Sequence, residues 1–186
     1  MEILETERLL LRAPGRRDAA DLYEYAQTEL VGPMAGWRPH ASLRETRRVL
    51  KRYRECGYIY AVCSKADGGR MIGTAGLHPD EKRADAGARM LGYAFNSAYW
   101  GRGYATEAAR RMIRLAFEDW ELPVLSAYCF PENTASRHVL EKCGFVYEGC
   151  LRASYRMYDG RLMDSLCFSI TPEEWTAAQA AAGNAE

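Results

Sequence analysis

The feature that most constrains this 186-residue chain is the stretch Tyr99-Trp100-Gly101-Arg102-Gly103-Tyr104-Ala105-Thr106-Glu107. It follows an apolar run, residues 90–95, that reads as a buried strand. It precedes an amphipathic run, residues 105–120, that reads as a helix. Neither glycine carries a Cβ, so a ligand can come close to the main chain of the turn. A helix that starts there aims its unpaired N–H groups and positive dipole end into the turn. Strand, glycine turn and helix start together make an anion site, and phosphate is the usual anion.

Lys+Arg and Asp+Glu both number 25, so the formal net charge is zero and no global attraction to nucleic acid or membrane is expected. A hydrophobic fraction of 48% at this length predicts one packed domain over residues 1–186, with a frayed tail after about residue 178. The 6 cysteines form no C-x-x-C pair and read as buried or free thiols. Together with the 3 histidines they show no metal-ligand spacing. The start, Met1-Glu2-Ile3-Leu4-Glu5, lacks the basic region of a signal peptide. No apolar run approaches the roughly 20 residues of a membrane helix. A soluble, cytoplasmic monomer or homodimer without nucleic-acid or membrane partners is expected.

Residues 8–12 read as a first strand, ended by Pro14 and Gly15. Ala19, Leu22, Tyr23 and Ala26 are spaced as one helix face. Residues 28–41 have no period and read as a long loop on the substrate side. Ser42-Leu43-Arg44-Glu45 is a capping box that opens a second helix. The outer face of that helix, with Arg44, Arg47, Arg48, Lys51, Arg52 and Arg54, is either a solvated surface or a basic wall for an acidic acceptor. Three antiparallel strands follow, at residues 58–63, 71–77 and 89–95, the first pair joined by Asp67-Gly68-Gly69. The helix after the glycine turn is expected to bury Ala105, Ala108, Ala109, Met112, Ile113, Ala116 and Trp120. Residues 124–130 form a fifth strand, parallel to the fourth by strand–helix–strand logic. A short helix over residues 135–143 ends at Gly144. A strand from Phe145, a hairpin at Asp159-Gly160, a strand over 162–170 and a helix opened by Thr171-Pro172 complete the chain.

Three phosphate motifs compete for the turn. A Walker A is absent, because no glycine is followed by Lys and then Ser or Thr in that frame. A dinucleotide fingerprint lacks its third glycine and sits after an antiparallel meander, the wrong context. The third motif fits: from Leu91 to Phe145 the chain resembles the GNAT superfamily of acetyl-CoA-dependent N-acetyltransferases. Trp100-Gly101-Arg102-Gly103-Tyr104-Ala105 matches that family's pyrophosphate loop, with Trp replacing its opening Gln or Arg. Asn133-Thr134-Ala135-Ser136 and Lys142-Cys143-Gly144-Phe145 match further elements of the ribosomal-protein N-terminal (alanine/serine) acetyltransferase branch. So do the opening Thr6-Glu7-Arg8-Leu9-Leu10-Leu11-Arg12 and the Asp159-Gly160 hairpin.

The resemblance implies an α/β (α+β) fold: a mixed, largely antiparallel twisted sheet of about six to seven strands, helices on both faces, splayed between the fourth and fifth strands. It implies acetyl-CoA as co-substrate and a primary amine as acceptor, either a protein N-terminus or a small molecule such as an amino acid or antibiotic. A non-catalytic acyl-CoA sensor is the remaining alternative. The backbone of Gly101, Arg102, Gly103, Tyr104 and Ala105 would hold the pyrophosphate. Tyr93, Ala94, Phe95 and Asn96 would pair with the pantetheine arm, and a backbone N–H there would polarise the thioester carbonyl. Asn133 is either a cofactor contact or a helix N-cap. Ser136 would stand near the cofactor sulfur as acid or hydrogen-bond donor. Relatives often carry a Glu base in the fourth strand, and Met90 stands there instead. Candidate bases are therefore His78, Glu81, Asp164 and Tyr93, while His40 and His138 read as surface residues. Asp164 either lines the acceptor site or pairs with an Arg. Trp37, Tyr155 and Tyr158 form an aromatic acceptor wall or cover the core.

Overall fold

The computed structural model describes residues 1–85 and 87–183. Alternating side chains sort its strands into two apolar faces. Tyr60, Val62, Ile72, Ala75 and Leu77 join one cluster, while Ala61, Cys63 and Met71 join the other. One eight-stranded sheet results, in the order β1-β2-β3-β4-β5-β6-β8-β7. Its strands are β1 (Leu4–Glu5), β2 (Leu9–Arg12), β3 (Ile59–Ser64), β4 (Arg70–Pro79), β5 (Arg89–Phe95), β6 (Leu125–Cys129), β7 (Val146–Arg156) and β8 (Leu162–Ile170). The short β1 at the edge brings the count to eight. Among the described strands only β5 and β6 pair in parallel, as strand–helix–strand logic expects.

Helices α1 (Ala19–Ala26) and α2 (Leu43–Cys56) cover one face, with Leu22, Tyr25 and Leu50 in its core. In α1 it is Tyr25, and not Tyr23, that is fully buried. Helices α3 (Tyr104–Arg114) and α4 (Thr134–Lys142) cover the other face, where Ala108, Ala109, Met112 and Ile113 of α3 are solvent-free. The two alanines let the start of α3 lie close to the sheet. A π-helical turn, Leu115–Asp119, ends the run and rotates Trp120 outward, so Trp120 is exposed where helical spacing places it inside. Helix α5 (Pro172–Gly183) opens on a reciprocal cap, Thr171 Oγ1 with the Glu174 N–H and Glu174 Oε2 with the Thr171 N–H. It is continuous past the expected start of fraying, and residues 184–186 lie outside the described residues.

The capping box of α2 is only half formed as expected. Ser42 Oγ accepts from the Glu45 N–H at 3.2 Å, but the Glu45 carboxylate returns to the Ala41 N–H at 2.7 Å and to Arg38. Arg12 on β2 grips the buried Asp18 through two bonds of 2.8 and 2.6 Å, which anchors the turn into α1. Breaking such a buried pair from one side costs about 3–5 kcal/mol.

The parallel ladder between β5 and β6 covers Arg89, Met90 and Leu91, opposite Leu125, Ser126 and Ala127. Beyond Leu91, β5 continues against β4 to Phe95, and β6 continues against β8 to Cys129. The sheet therefore opens into a V between these strands, and the glycine turn lies at its mouth.

Candidate active site

Strand β5 leads through Asn96 and a 3-10 turn, Ser97–Tyr99, into the two glycines. Gly101 and Gly103 sit at φ +73° and +78°, a left-handed conformation costly to other residues. A Cβ on Gly101 would meet nothing within 4 Å, so glycine is required there by conformation and not by crowding. Gly103 is the N-cap of α3 and offers no side-chain acceptor. The first helical bond is from the Glu107 N–H to the Gly103 carbonyl, 3.0 Å. The amides of Tyr104, Ala105 and Thr106 thus lack an intrahelical acceptor, and the turn fits a diphosphate by donor chemistry and shape. Trp100, which replaces the family's Gln or Arg, donates its indole N–H to the Phe95 carbonyl at 2.9 Å and closes the turn onto β5. Arg102 is exposed, with its guanidinium 5.4 Å over the Tyr99 ring.

Strand alternation divides the four residues expected to meet the pantetheine arm. The Asn96 N–H donates to the Ile72 carbonyl at 2.9 Å, so residue 96 faces β4. Ala94, two residues away, faces the same side, and Tyr93 and Phe95 face the open edge. The expectation is corrected accordingly: Ala94 and Asn96 present no backbone groups to the V. The Asn96 side chain is also engaged, with Glu24 at 3.0 Å and the Ala98 N–H at 3.1 Å.

Tyr93, Ser136 and Asn133 come together at the side of the V. The Tyr93 hydroxyl lies 3.0 Å from Ser136 Oγ and donates to the Ser136 carbonyl at 3.1 Å. Burial pushes the Tyr93 phenol well above its ordinary value. It stays protonated, which removes it as a base and suits it as a donor. Asn133 Oδ1 accepts from the Ser136 N–H at 3.0 Å and caps α4, while Nδ2 donates to the Met34 carbonyl at 3.2 Å. Both alternatives for Asn133 thus meet a third: the side chain also holds the loop between α1 and α2. Tyr155 does the same from β7, donating to the Gly36 carbonyl at 3.0 Å. These two bonds tie the loop across the diverging halves of the sheet, at the open end of the V.

His78 stands opposite Met90 in the β4–β5 register, on the sheet face that carries α1 and α2. Its ring meets Tyr58 edge-on at 5.3 Å, and a Cβ at Gly92 would lie 3.0 Å from it. Burial lowers its pKa, so the imidazole is neutral at pH 7. Asp164 is spent elsewhere: Oδ1 accepts the Ala153 N–H at 2.8 Å and pins a bulge of β7 where Ala153 has φ +50°. That bond, in place of an Arg, is its partner. Glu81 is exposed on the turn after β4, and Tyr158 is 45% exposed. Trp37 is half-buried, packs against the α1/α2 core and meets His40 at 5.3 Å. His40 is itself buried, 2.9 Å from Thr46 Oγ1, and not on the surface as its loop position suggests. His138 is exposed.

Sequence reasoning missed Asp80 and Tyr128. Tyr128 shares a face with Ser126 and hence with Met90, its pair partner. Its hydroxyl donates to the two oxygens of buried Asp80 at 2.9 and 3.1 Å. Asp80 sits in a run of polar turn residues, and no local pattern marks it as buried.

Residues 8–146 match the family model described as an acetyltransferase (GNAT) domain. The chain is 29% identical, over 94% of its length and 99% of the relative's, to an uncharacterized N-acetyltransferase of Bacillus licheniformis. It is 25% identical, over 93% of its length and 92% of the relative's, to the ribosomal protein uS5-alanine N-acetyltransferase of Escherichia coli. Among solved structures, an acetyltransferase (GNAT family) from Bacillus anthracis superposes with a TM-score of 0.82 at 24% identity, covering 92% of this chain and 99% of that one.

Proposed function

The chain belongs to the GNAT family of acetyltransferases, and from that premise we propose that it acetylates the N-terminal amine of a protein with acetyl-CoA, in the cytoplasm, as a monomer or homodimer. The observation that carries the donor side is the V between β5 and β6 with the uncapped start of α3 at its mouth. The acceptor class is supported by likeness to the uS5-alanine N-acetyltransferase along nearly the whole chain.

Bound acetyl-CoA supplies a thioester whose C–S bond gives way to an amide C–N bond. The amides of residues 101–105 hold its diphosphate. The Tyr93 and Phe95 N–H groups line the arm and polarise the carbonyl. His78 accepts the proton of the attacking amine, from the face where Met90 replaces the family's Glu. Tyr93 and Ser136 hold a proton ready for the departing sulfur. Trp37 and Tyr155 wall the acceptor, and Asn133 fixes Ser136. Asp164 keeps the β7 hairpin in shape.

An acceptor screen that reads thiol release from acetyl-CoA tests the proposal. Peptides with ribosomal-protein N-termini are expected to be turned over faster than amino acids or aminoglycosides. Preference for a small amine overturns the acceptor, and binding of acetyl-CoA without turnover of any amine favours the sensor.

A further inference from the structure

Two residues remote in sequence from the glycine turn, Thr6 and Arg8, meet Glu107 behind it. Thr6 Oγ1 and the Arg8 N–H donate to Glu107 Oε1, at 2.5 and 2.9 Å. Arg8 Nε and Nη2 both lie 2.6 Å from Glu107 Oε2. Arg8 Nη1 donates to the Arg102 carbonyl at 3.0 Å, and the guanidinium rests 4.6 Å over the Tyr104 ring. Each nitrogen of the fork is thus committed to the turn or to the first turn of α3.

Two physical consequences follow for the turn. In a trans peptide the C=O and N–H point in opposite directions. Holding the Arg102 carbonyl toward Arg8 therefore directs the Gly103 N–H away from Arg8. Glu107, for its part, sits in the first turn of the helix whose amides face the anion. Burial pushes its carboxyl up, but hydrogen bonds from Thr6 and Arg8 and the Arg8 charge outweigh that and hold it below the usual range. An ionised carboxylate there opposes a second anion unless a cation offsets it.

We propose that Arg8 is a positioning residue for the diphosphate site: it fixes the Arg102–Gly103 peptide and offsets Glu107, so that the turn's amides receive an anion. The proposal rests on reading the turn as the coenzyme A site. It also explains why the opening Thr-Glu-Arg and the Glu of the α3 start belong together, since they are one cluster.

Calorimetry with coenzyme A and with 3′-phospho-ADP, which keeps the diphosphate but lacks the pantetheine arm, tests it. Arg8→Ala is expected to weaken both ligands about tenfold, the size of one lost bond to a charged group. Arg8→Lys keeps the Glu107 ion pair and so the anchor of β2, but one ammonium cannot also span to the Arg102 carbonyl. It is expected to weaken both ligands by a smaller factor, and it decides the question if Arg8→Ala fails to fold. Wild-type affinity of Arg8→Lys for both ligands overturns the proposal alone. So does a loss confined to coenzyme A, which would put the effect on the arm. A wild-type protein that binds neither ligand overturns the coenzyme A reading together with this one.

Discussion

Helices α3 and α4 both begin at the open end of the V, and their first turns are finished in opposite ways. Helix α4 closes its own end: Asn133 Oδ1 takes the Ser136 N–H, and the same residue's amide ties down the Met34 carbonyl. Helix α3 starts on a left-handed glycine and leaves its first amides without a side-chain acceptor. The difference teaches that an unfinished helix end is information. Where the chain supplies its own cap the end is a fixture, here one that sets Ser136 against Tyr93. Where it supplies none, in a turn held by Arg8 and Trp100, the end stays open, and on the proposed reading it is the receptor for the diphosphate.

The largest expected effect comes from spoiling the receptor. Gly103→Asp places a carboxylate among the amides at a strained φ, and the affinity for coenzyme A should fall about 30-fold, roughly 2 kcal/mol. Calorimetry reads this directly, and an unchanged Kd would make the α3 end an ordinary turn. Tyr93→Phe acts on the fixture. It removes the bond to Ser136 Oγ, and kcat should drop about tenfold while coenzyme A binding holds. A change in Kd with kcat intact would move Tyr93 from chemistry to binding. Asn133→Ala uncaps α4, so stability should fall by about 1 kcal/mol, a Tm shift of about 2–4 °C for a domain of this size. A calorimetric scan checks that, and an unaltered Tm would mean that the cap is idle.

The smallest effect separates the two ends by pH. His78 has a folded pKa below its ordinary 6.5, because burial disfavours its charged form. The unfolded chain therefore binds the proton more readily. Turnover and stability should both hold above 6.5 and decline as the pH falls through the lowered value. Coenzyme A binding should stay flat across that window. In His78→Gln the acidic limb of the pH–rate profile should disappear, and its persistence would assign the proton to another group. His40, buried and lowered in the same way, contributes to the stability loss but not to the rate.

The receptor end was legible because its signals are local. An apolar run, two glycines and an amphipathic run lie side by side in the chain, and spacing alone orders them. The parallel crossover, the hairpins and the α5 cap were readable for the same reason. What escaped depends on partners distant in sequence. Arg8, just before β2, and Glu107, in the first turn of α3, meet across a separation of 99 residues, and nothing near either residue announces the other. His40 looks exposed in a polar loop until Thr46 and the α2 core enclose it. Tyr93 and Ala94 are adjacent in one apolar run, and only the ladder to β4 tells which faces the open edge of β5. The π-helical turn that expels Trp120 leaves no mark in the helical period.

The loop over the V is fastened by its main chain. Asn133 and Tyr155 hold the carbonyls of Met34 and Gly36, and neither bond depends on a side chain of the loop itself. Anchorage and taste are thus written in different residues. On the proposed acceptor reading, a substitution at the exposed Met34 changes the surface offered to the acceptor while both main-chain bonds stay in place, whereas Trp37, packed against the α1/α2 core, is not free to change in the same way.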